Sequence, residues 1–241
     1  MKKIILLFII STAAISCSTK PKKPQKNSEP RDISPHVVYE NELSTNNIDN
    51  AIIENVEFDA FGASFYGTEQ DPSYIKIPFS ALNNNQSFNI SFDFLTTTDD
   101  GSVAQGLVSL IDDFSSPTNA PLIISYTGRR VSGAIGRNVL WAQEYDYKKG
   151  MSSRYYDLFQ LDSNTLYNVS LNYDAGETSF YVNNELYATF QGLDSSPMQA
   201  KYILLGALPS HDSYTYFLNG QISNLRILNT TLTIAEMNSN P

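Results

Sequence analysis

Leu166-Tyr-Asn-Val-Ser-Leu-Asn-Tyr-Asp174, the turn at Ala175-Gly176, Glu177-Thr-Ser-Phe-Tyr-Val182, then Asn183-Asn184-Glu185-Leu186 is the stretch that decides the fold. From Tyr167 to Tyr173 apolar and polar side chains alternate, and period two predicts a strand with one buried and one wet face. Asn183-Asn184 suits a tight hairpin, because asparagine tolerates the positive φ that such turns demand. Working outward, Phe88-Asn-Ile-Ser-Phe-Asp-Phe94 alternates in the same way, and turn signals recur at Asp99-Asp100-Gly101 and Ser115-Ser116-Pro117. Helical signals are confined to a turn near Ser80 to Asn83 and another at Thr233 to Met237. Many short strands separated by turns predict an all-β fold, a two-sheet sandwich or barrel. Phe88, Ile90, Phe92 and Phe94, with Val169, Leu171 and Tyr173, are expected to form its inner rows.

The N-terminus carries a different message. Met1-Lys2-Lys3 is basic, Ile4 to Ile15 is apolar, and Ala14-Ile15-Ser16 precedes Cys17, the only cysteine. The apolar run is far shorter than the roughly 20 residues that cross a bilayer, so it reads as a targeting segment. It resembles a bacterial lipoprotein signal with its lipobox. The resemblance implies cleavage after residue 16, lipidation of Cys17, and a mature protein held in the cell envelope by acyl chains. With that sulfur consumed no disulfide forms, and the core alone must stabilise the fold. Residues 17–34 are rich in Lys and Pro and read as a tether. Ser18 behind the cysteine resembles the outer-membrane sorting pattern of Gram-negative lipoproteins and leaves the leaflet open. The organisation expected is therefore a signal peptide over 1–16, the lipidated tether over 17–34 and one domain over 35–241.

Charge divides along the chain. From Pro35 onward there are nine Lys and Arg against 23 Asp and Glu, near −14, whereas the whole chain is −9. Nucleic acid is excluded as a partner on this ground, since phosphate binding needs a cationic surface. Six of the nine basic residues, Arg129, Arg130, Arg137, Lys148, Lys149 and Arg154, fall in one short segment.

The order of motifs resembles the LamG-like jelly-roll domains of the concanavalin A-like lectin/glucanase superfamily. Gly62-Ala-Ser-Phe65, Gly67, Ser73-Tyr-Ile-Lys-Ile-Pro78 and Ser87-Phe-Asn-Ile-Ser-Phe92 look like its opening, and Val37-Val-Tyr39 like its first strand. The hairpin of residues 166–186 looks like the family's strand ending in Tyr-Asp followed by one ending in Val-Asn-Gly, with Asn184 in place of that glycine. Tyr202-Ile-Leu-Leu-Gly206 and Leu218-Asn-Gly-Gln-Ile-Ser-Asn-Leu-Arg-Ile-Leu-Asn229, followed by Leu232 and Ala235-Glu236, look like its closing strand and turn. Ser223 or Asn224 stands where the family usually has Asp. The resemblance implies two stacked antiparallel sheets in a jelly-roll sandwich, with ligands on the concave sheet or its rim.

For function, the glucanase branch of that superfamily needs a carboxylate pair flanking the glycosidic bond. The nearest fragment, Glu144-Tyr145-Asp146-Tyr147-Lys148-Lys149, has lysine where the second glutamate would stand, and no catalytic residue is assigned. His36 and His211 lack acidic or thiol neighbours at ligand spacing. Binding fits better. The segment from Arg129 to Phe159 holds Trp141, Tyr145, Tyr147, Tyr155 and Tyr156, whose flat faces suit sugar rings. Arg137, Arg154, Asp157 and Glu144 would supply its hydrogen bonds; the alternative is that these rings are half-buried sheet residues. No cofactor follows from the residues, while the resemblance brings in Ca2+, for which Asp112-Asp113, Asp99-Asp100 and Asp59 are the oxygen donors to examine. The expectation is a non-catalytic module whose partner is carbohydrate, or alternatively an envelope or extracellular protein, with a divergent glycoside hydrolase as a third reading.

Overall fold

The computed structural model describes residues 30–239 apart from 80–81, 83–86, 97–103, 114, 117–119, 128–138, 147–150, 163, 192–199 and 211–212. In chain order the strands are β1 (Val37–Asn41), β2 (Ile52–Glu54), β3 (Val56–Asp59), β4 (Gly62–Tyr66), β5 (Tyr74–Pro78) and β6 (Ser87–Thr96). There follow β7 (Gln105–Ile111), β8 (Leu122–Thr127), β9 (Val139–Asp146), β10 (Met151–Gln160), β11 (Leu166–Asp174) and β12 (Glu177–Val182). β13 (Glu185–Gln191), β14 (Tyr202–Leu205), β15 (Leu208–Ser210), β16 (Ser213–Thr215) and β17 (Asn219–Leu228) come next, and the described residues also include a 3-10 turn at Ser34–His36 before β1 and an α-helix, α1 (Ile234–Ser239), after β17.

The strands form an eight-stranded sheet, ordered β13-β12-β11-β6-β17-β4-β3 with β1 also on β17, and a seven-stranded sheet, ordered β10-β9-β8-β7-β14-β5-β2. All pairings are antiparallel. The alternation in β6 and β11 sets their contribution to the core: Phe88, Ile90, Phe92 and Phe94 are at most 1% exposed, and Val169, Leu171 and Tyr173 join them between the sheets. Phe88 and Tyr173 are register partners whose rings stack at 5.1 Å. The asparagine hairpin forms as predicted, with φ of 51° at Asn183 and 62° at Asn184.

A second apolar layer lies on the far face of the seven-stranded sheet. In β8, Leu122 and Ile124 belong to the main core, whereas Ile123 between them packs with Ile111, Trp141, Leu204 and Leu208. The β15-β16 hairpin contributes Leu208 and Tyr214 to this layer. A third cluster joins Leu228 to Ile33, Leu232 and Met237, so the segment around α1 covers part of the eight-stranded sheet from outside.

The chain just before β1 is fastened to α1. Thr233 and Glu236 form a capping box: Glu236 Oε2 accepts from the Thr233 N–H at 2.7 Å and Thr233 Oγ1 from the Glu236 N–H at 3.3 Å. Arg31 Nε donates to Glu236 Oε1 at 2.7 Å, and Arg31 also reaches Thr230 and the Thr231 carbonyl. Burial acts to raise the Glu236 pKa, but the Thr233 N–H and hydroxyl together with Arg31 outweigh it and hold the carboxyl below its ordinary value. A carboxyl depressed in the folded state stabilises above its unfolded pKa, about 4.3, and that stabilisation is lost as pH falls through the folded value. Thermal unfolding of the wild type and Glu236→Gln should therefore differ most near neutral pH, the gap closing below about pH 4. A gap that widens on acidification would contradict the arrangement. Arg31→Ala, which removes one hydrogen-bonded cation from a carboxylate that is 4% exposed, should cost about 1–3 kcal/mol.

Candidate functional site

The same alternation that fills the core with Phe92, Phe94 and Val169 turns Ser91, Asp93 and Asn168 to the outer face of the eight-stranded sheet. Register places Asp93 between Asn168 on β11 and Ser223 on β17, and Ser91 between Ser170 and Arg226. Arg226 in turn faces Glu40 on β1. Between Ser223 and Arg226 the register shifts in a bulge, where Asn224 takes φ of 51° and its N–H donates to the Glu42 carbonyl at 3.3 Å. A bulge re-aims side chains, and here it brings the Asn224 amide over Asp93.

A fixed polar row results. Asp93 Oδ1 accepts from Asn168 Nδ2 at 2.8 Å, and Asp93 Oδ2 accepts from Asn224 Nδ2 at 2.7 Å. Asn168 is itself held by the hairpin: its N–H donates to Asn183 Oδ1 at 3.0 Å, and the Asn183 N–H donates to the Asn168 carbonyl at 2.8 Å. Each carboxylate oxygen retains a further acceptor position, and both amide carbonyls are oriented because their NH2 groups are engaged. Leu232 and Met237 wall this row on one side and Asn184 stands nearby, enclosing about 140 Å³. A second cleft of about 470 Å³, lined by Glu40, Asn41 and Glu42, shares Asn224 and Arg226 with the first, so the two make one trough. Arg226 Nε lies 3.0 Å from Glu40 Oε1.

Beneath the trough is a buried polar network that the alternation alone assigned to a wet face. Asn89, Ser170 and Asn172 are 0%, 1% and 6% exposed. Asn89 Nδ2 donates to Ser170 Oγ at 2.8 Å and Asn172 Oδ1 at 3.0 Å. Asn172 donates to the Leu232 carbonyl at 2.7 Å and accepts from its N–H at 3.0 Å. The wall residue Leu232 is thereby tied to the sheet by its backbone, since a buried amide must find partners.

The residues singled out in the sequence are placed elsewhere. Arg137 and Tyr147 lie outside the described residues. Glu144, Tyr145, Arg154, Tyr155, Tyr156 and Asp157 sit on the β9-β10 pair, where Arg154 is the register partner of Gln143 and Tyr155 of Ala142, and their backbone alone is described. Trp141 requires a correction: the indole, expected as an open stacking surface, is 6% exposed within the second apolar layer. Its position on the far face is that of Ser125 and Ile123, a face that the β15-β16 hairpin helps to close. Of the proposed calcium donors, Asp113 pairs with Lys201, Asp112 accepts from Ser115 Oγ at 2.9 Å, and Asp59 accepts from the Phe61 N–H at 2.7 Å. Asp99 and Asp100 lie outside the described residues. Among the described residues no three His, Cys, Asp or Glu side chains converge as a metal site. His36 Nδ1 is 3.0 Å from Asn229 Oδ1, and His211 is outside the described residues. Sequence reasoning missed Asp93, Asn168 and Arg226 as site members, though it had marked Asn224 as a departure from the family pattern.

Comparison with known proteins agrees with this architecture. A structure of botulinum neurotoxin type C, which interacts with two ganglioside molecules, superposes with a TM-score of 0.63 at 15% identity over 86% of this chain and 51% of that one. The binding domain of botulinum neurotoxin DC in complex with rat synaptotagmin II gives 0.64 at 14% identity over 87% and 52%. The Ruminococcus gnavus IT-sialidase CBM40 bound to alpha2,3 sialyllactose gives 0.51 at 14% identity over 68% and 95%. This chain thus spans about half the length of the neurotoxin chains. At such identities the likeness concerns the fold. No curated protein matches the sequence. The family model of the concanavalin A-like lectin/glucanases superfamily matches residues 70–238, and the chain belongs to that family.

Proposed function

We propose that this protein is a lipid-anchored cell-envelope lipoprotein whose jelly-roll domain binds carbohydrate without catalysing its cleavage. The observation that carries the reading is the Asn168-Asp93-Asn224 row, a set of planar polar groups fixed before any ligand arrives. Sugar recognition needs such groups, since hydroxyls both donate and accept, while Leu232 and Met237 offer an apolar side to the C–H face of a ring. Support also comes from similarly folded proteins that carry gangliosides or sialyllactose. A glycan array probed with the full chain tests the reading. Wild type should bind a defined subset, and Asp93→Ala should weaken it about 10-fold or more, as befits loss of a charged hydrogen-bond partner. If Arg154→Ala removes binding and Asp93→Ala does not, the segment from Arg129 to Phe159 is the surface instead. A protein partner is the second reading, favoured by the neurotoxin domain that holds synaptotagmin on this fold; stoichiometric capture from envelope extracts, insensitive to free sugar, would support it.

The anchor rests on Lys2, Lys3, the apolar run and Cys17, and the outer-membrane placement on Ser18 behind the cysteine. Cys17→Ser should move the protein from the membrane fraction to the soluble fraction and abolish labelling by a fatty-acid analogue, since stable anchoring takes more than one acyl chain. Unchanged membrane retention would refute the lipid anchor.

A further inference from the structure

We infer that the trough is selective for uncharged sugar residues held through adjacent hydroxyls, and that it rejects acidic sugars; this rests on the carbohydrate reading above. The argument begins with charge. Among the described side chains from Pro35 onward the basic ones are Lys76, Lys201 and Arg226, and each is already engaged. Lys76 Nζ lies 3.9 Å from the centre of the Tyr202 ring and 6.0 Å from that of Tyr214. Lys201 is paired with Asp113. Arg226 is paired with Glu40 and is the one of the three that lines the trough, which also contains Glu42 and Asp93. An incoming carboxylate would therefore meet Glu42 and Asp93 beside an Arg226-Glu40 pair whose charges offset each other. Repulsion of that kind rejects a ligand through unpaired like charge. The domain's overall acidity, near −14 from Pro35 onward, adds to it at long range.

Hydrogen-bonding capacity points the same way. A carboxylate accepts and does not donate, so Asp93 can take two neighbouring hydroxyl protons from one sugar ring, with the Asn168 and Asn224 carbonyls as further acceptors beside it. The row is thus biased towards ligands rich in donors. An uncharged sugar has one donor per hydroxyl; a sialic or uronic acid replaces donors with a charged acceptor at its carboxylate. The similarly folded structures that bind gangliosides or sialyllactose share the fold at 14–15% identity, and the trough described here is built for a different class of sugar.

The test compares lactose with α2,3-sialyllactose, within an array of neutral oligosaccharides and their sialylated or uronic-acid forms, using the full chain. The expected result is binding of a neutral glycan, at least about 10-fold weaker binding of its acidic form, and affinity nearly constant as salt is raised, since screening acts on charge pairs. Asp93→Ala should lower the neutral affinity about 10-fold. Should that variant prove unstable, Ser91→Tyr, which crowds the trough floor from an incompletely buried position, should do the same while retaining the wild-type melting temperature within a few degrees. Preference for the acidic form, with affinity falling as salt rises, would overturn this inference and leave the carbohydrate reading standing. Neutral binding unchanged in both variants would also overturn it, by moving the site elsewhere. Failure of wild type to bind any glycan would remove the carbohydrate reading itself.

Discussion

Phe92→Asp should abolish cooperative folding. Phe92 is 0% exposed, opposes Val169 across β6 and β11, and sits in the core cluster shared by both sheets. Truncating such a phenylalanine to alanine costs about 3–5 kcal/mol. Aspartate adds the burial of a charge, and the described charges nearby all lie on the opposite face of the strand, where Asp93 points. A domain stable by about 5–15 kcal/mol would keep little or nothing after both losses. Phe92→Leu keeps the site apolar and should forfeit only part of the truncation cost. Circular dichroism melts separate the cases: a cooperative transition for Leu at reduced temperature, and for Asp a flat trace or insoluble protein. A cooperative Phe92→Asp melt near the wild-type temperature would mean that the sheets do not pack through this row.

That row was legible because everything deciding it is local. Four aromatic or aliphatic residues alternate with Asn, Ser and Asp between Phe88 and Phe94, and no fold with a single core can place them otherwise. The Asn183-Asn184 hairpin and the short helix beginning at Ile234 were legible for the same reason, each having a turn or capping signal within a few residues. The trough was not, because its members come from separate strands: Asn224 bonds to Asp93 across 131 residues, and nothing in either neighbourhood announces the other. Alternation also says which side chains share a face without saying what covers it. Asn89 and Asn172 were thus read as wet, although Leu232, 60 residues beyond Asn172, lies over them. Trp141 was read by residue type, as a flat face for a sugar ring, and residue type likewise says nothing of what covers that face. Its alternation with Leu140 and Ala142 is regular, but its face receives a second apolar layer from β14 and the β15-β16 hairpin, far along the chain.

Gly206→Ala should be strongly destabilising, for two separable reasons. The residue follows β14 with φ of 78°, a region costly for a side chain, and it is committed on both sides: its N–H donates to the Leu107 carbonyl at 3.1 Å and its carbonyl accepts from the Leu218 N–H at 2.7 Å. The backbone therefore cannot rotate away from the strain, worth about 1–3 kcal/mol. A Cβ there would also lie 2.5 Å from Phe65 Cε1, with Cδ1 nearer still, and Phe65 is fully buried, so overpacking adds about 1–3 kcal/mol. Gly176 provides the comparison, since its φ is 97° but a Cβ would meet nothing within 4 Å; Gly176→Ala should incur only the backbone cost. At roughly 2–4 °C per kcal/mol for a domain of this size, Gly206→Ala should melt several degrees below Gly176→Ala. A double-mutant cycle isolates the clash: Phe65→Leu destabilises alone, but combined with Gly206→Ala the loss should fall short of the sum by about 0.5–3 kcal/mol, because the smaller side chain makes room for the methyl. Strict additivity would show that the ring and the glycine do not touch, and with it that β4 and the end of β14 do not face each other across the core.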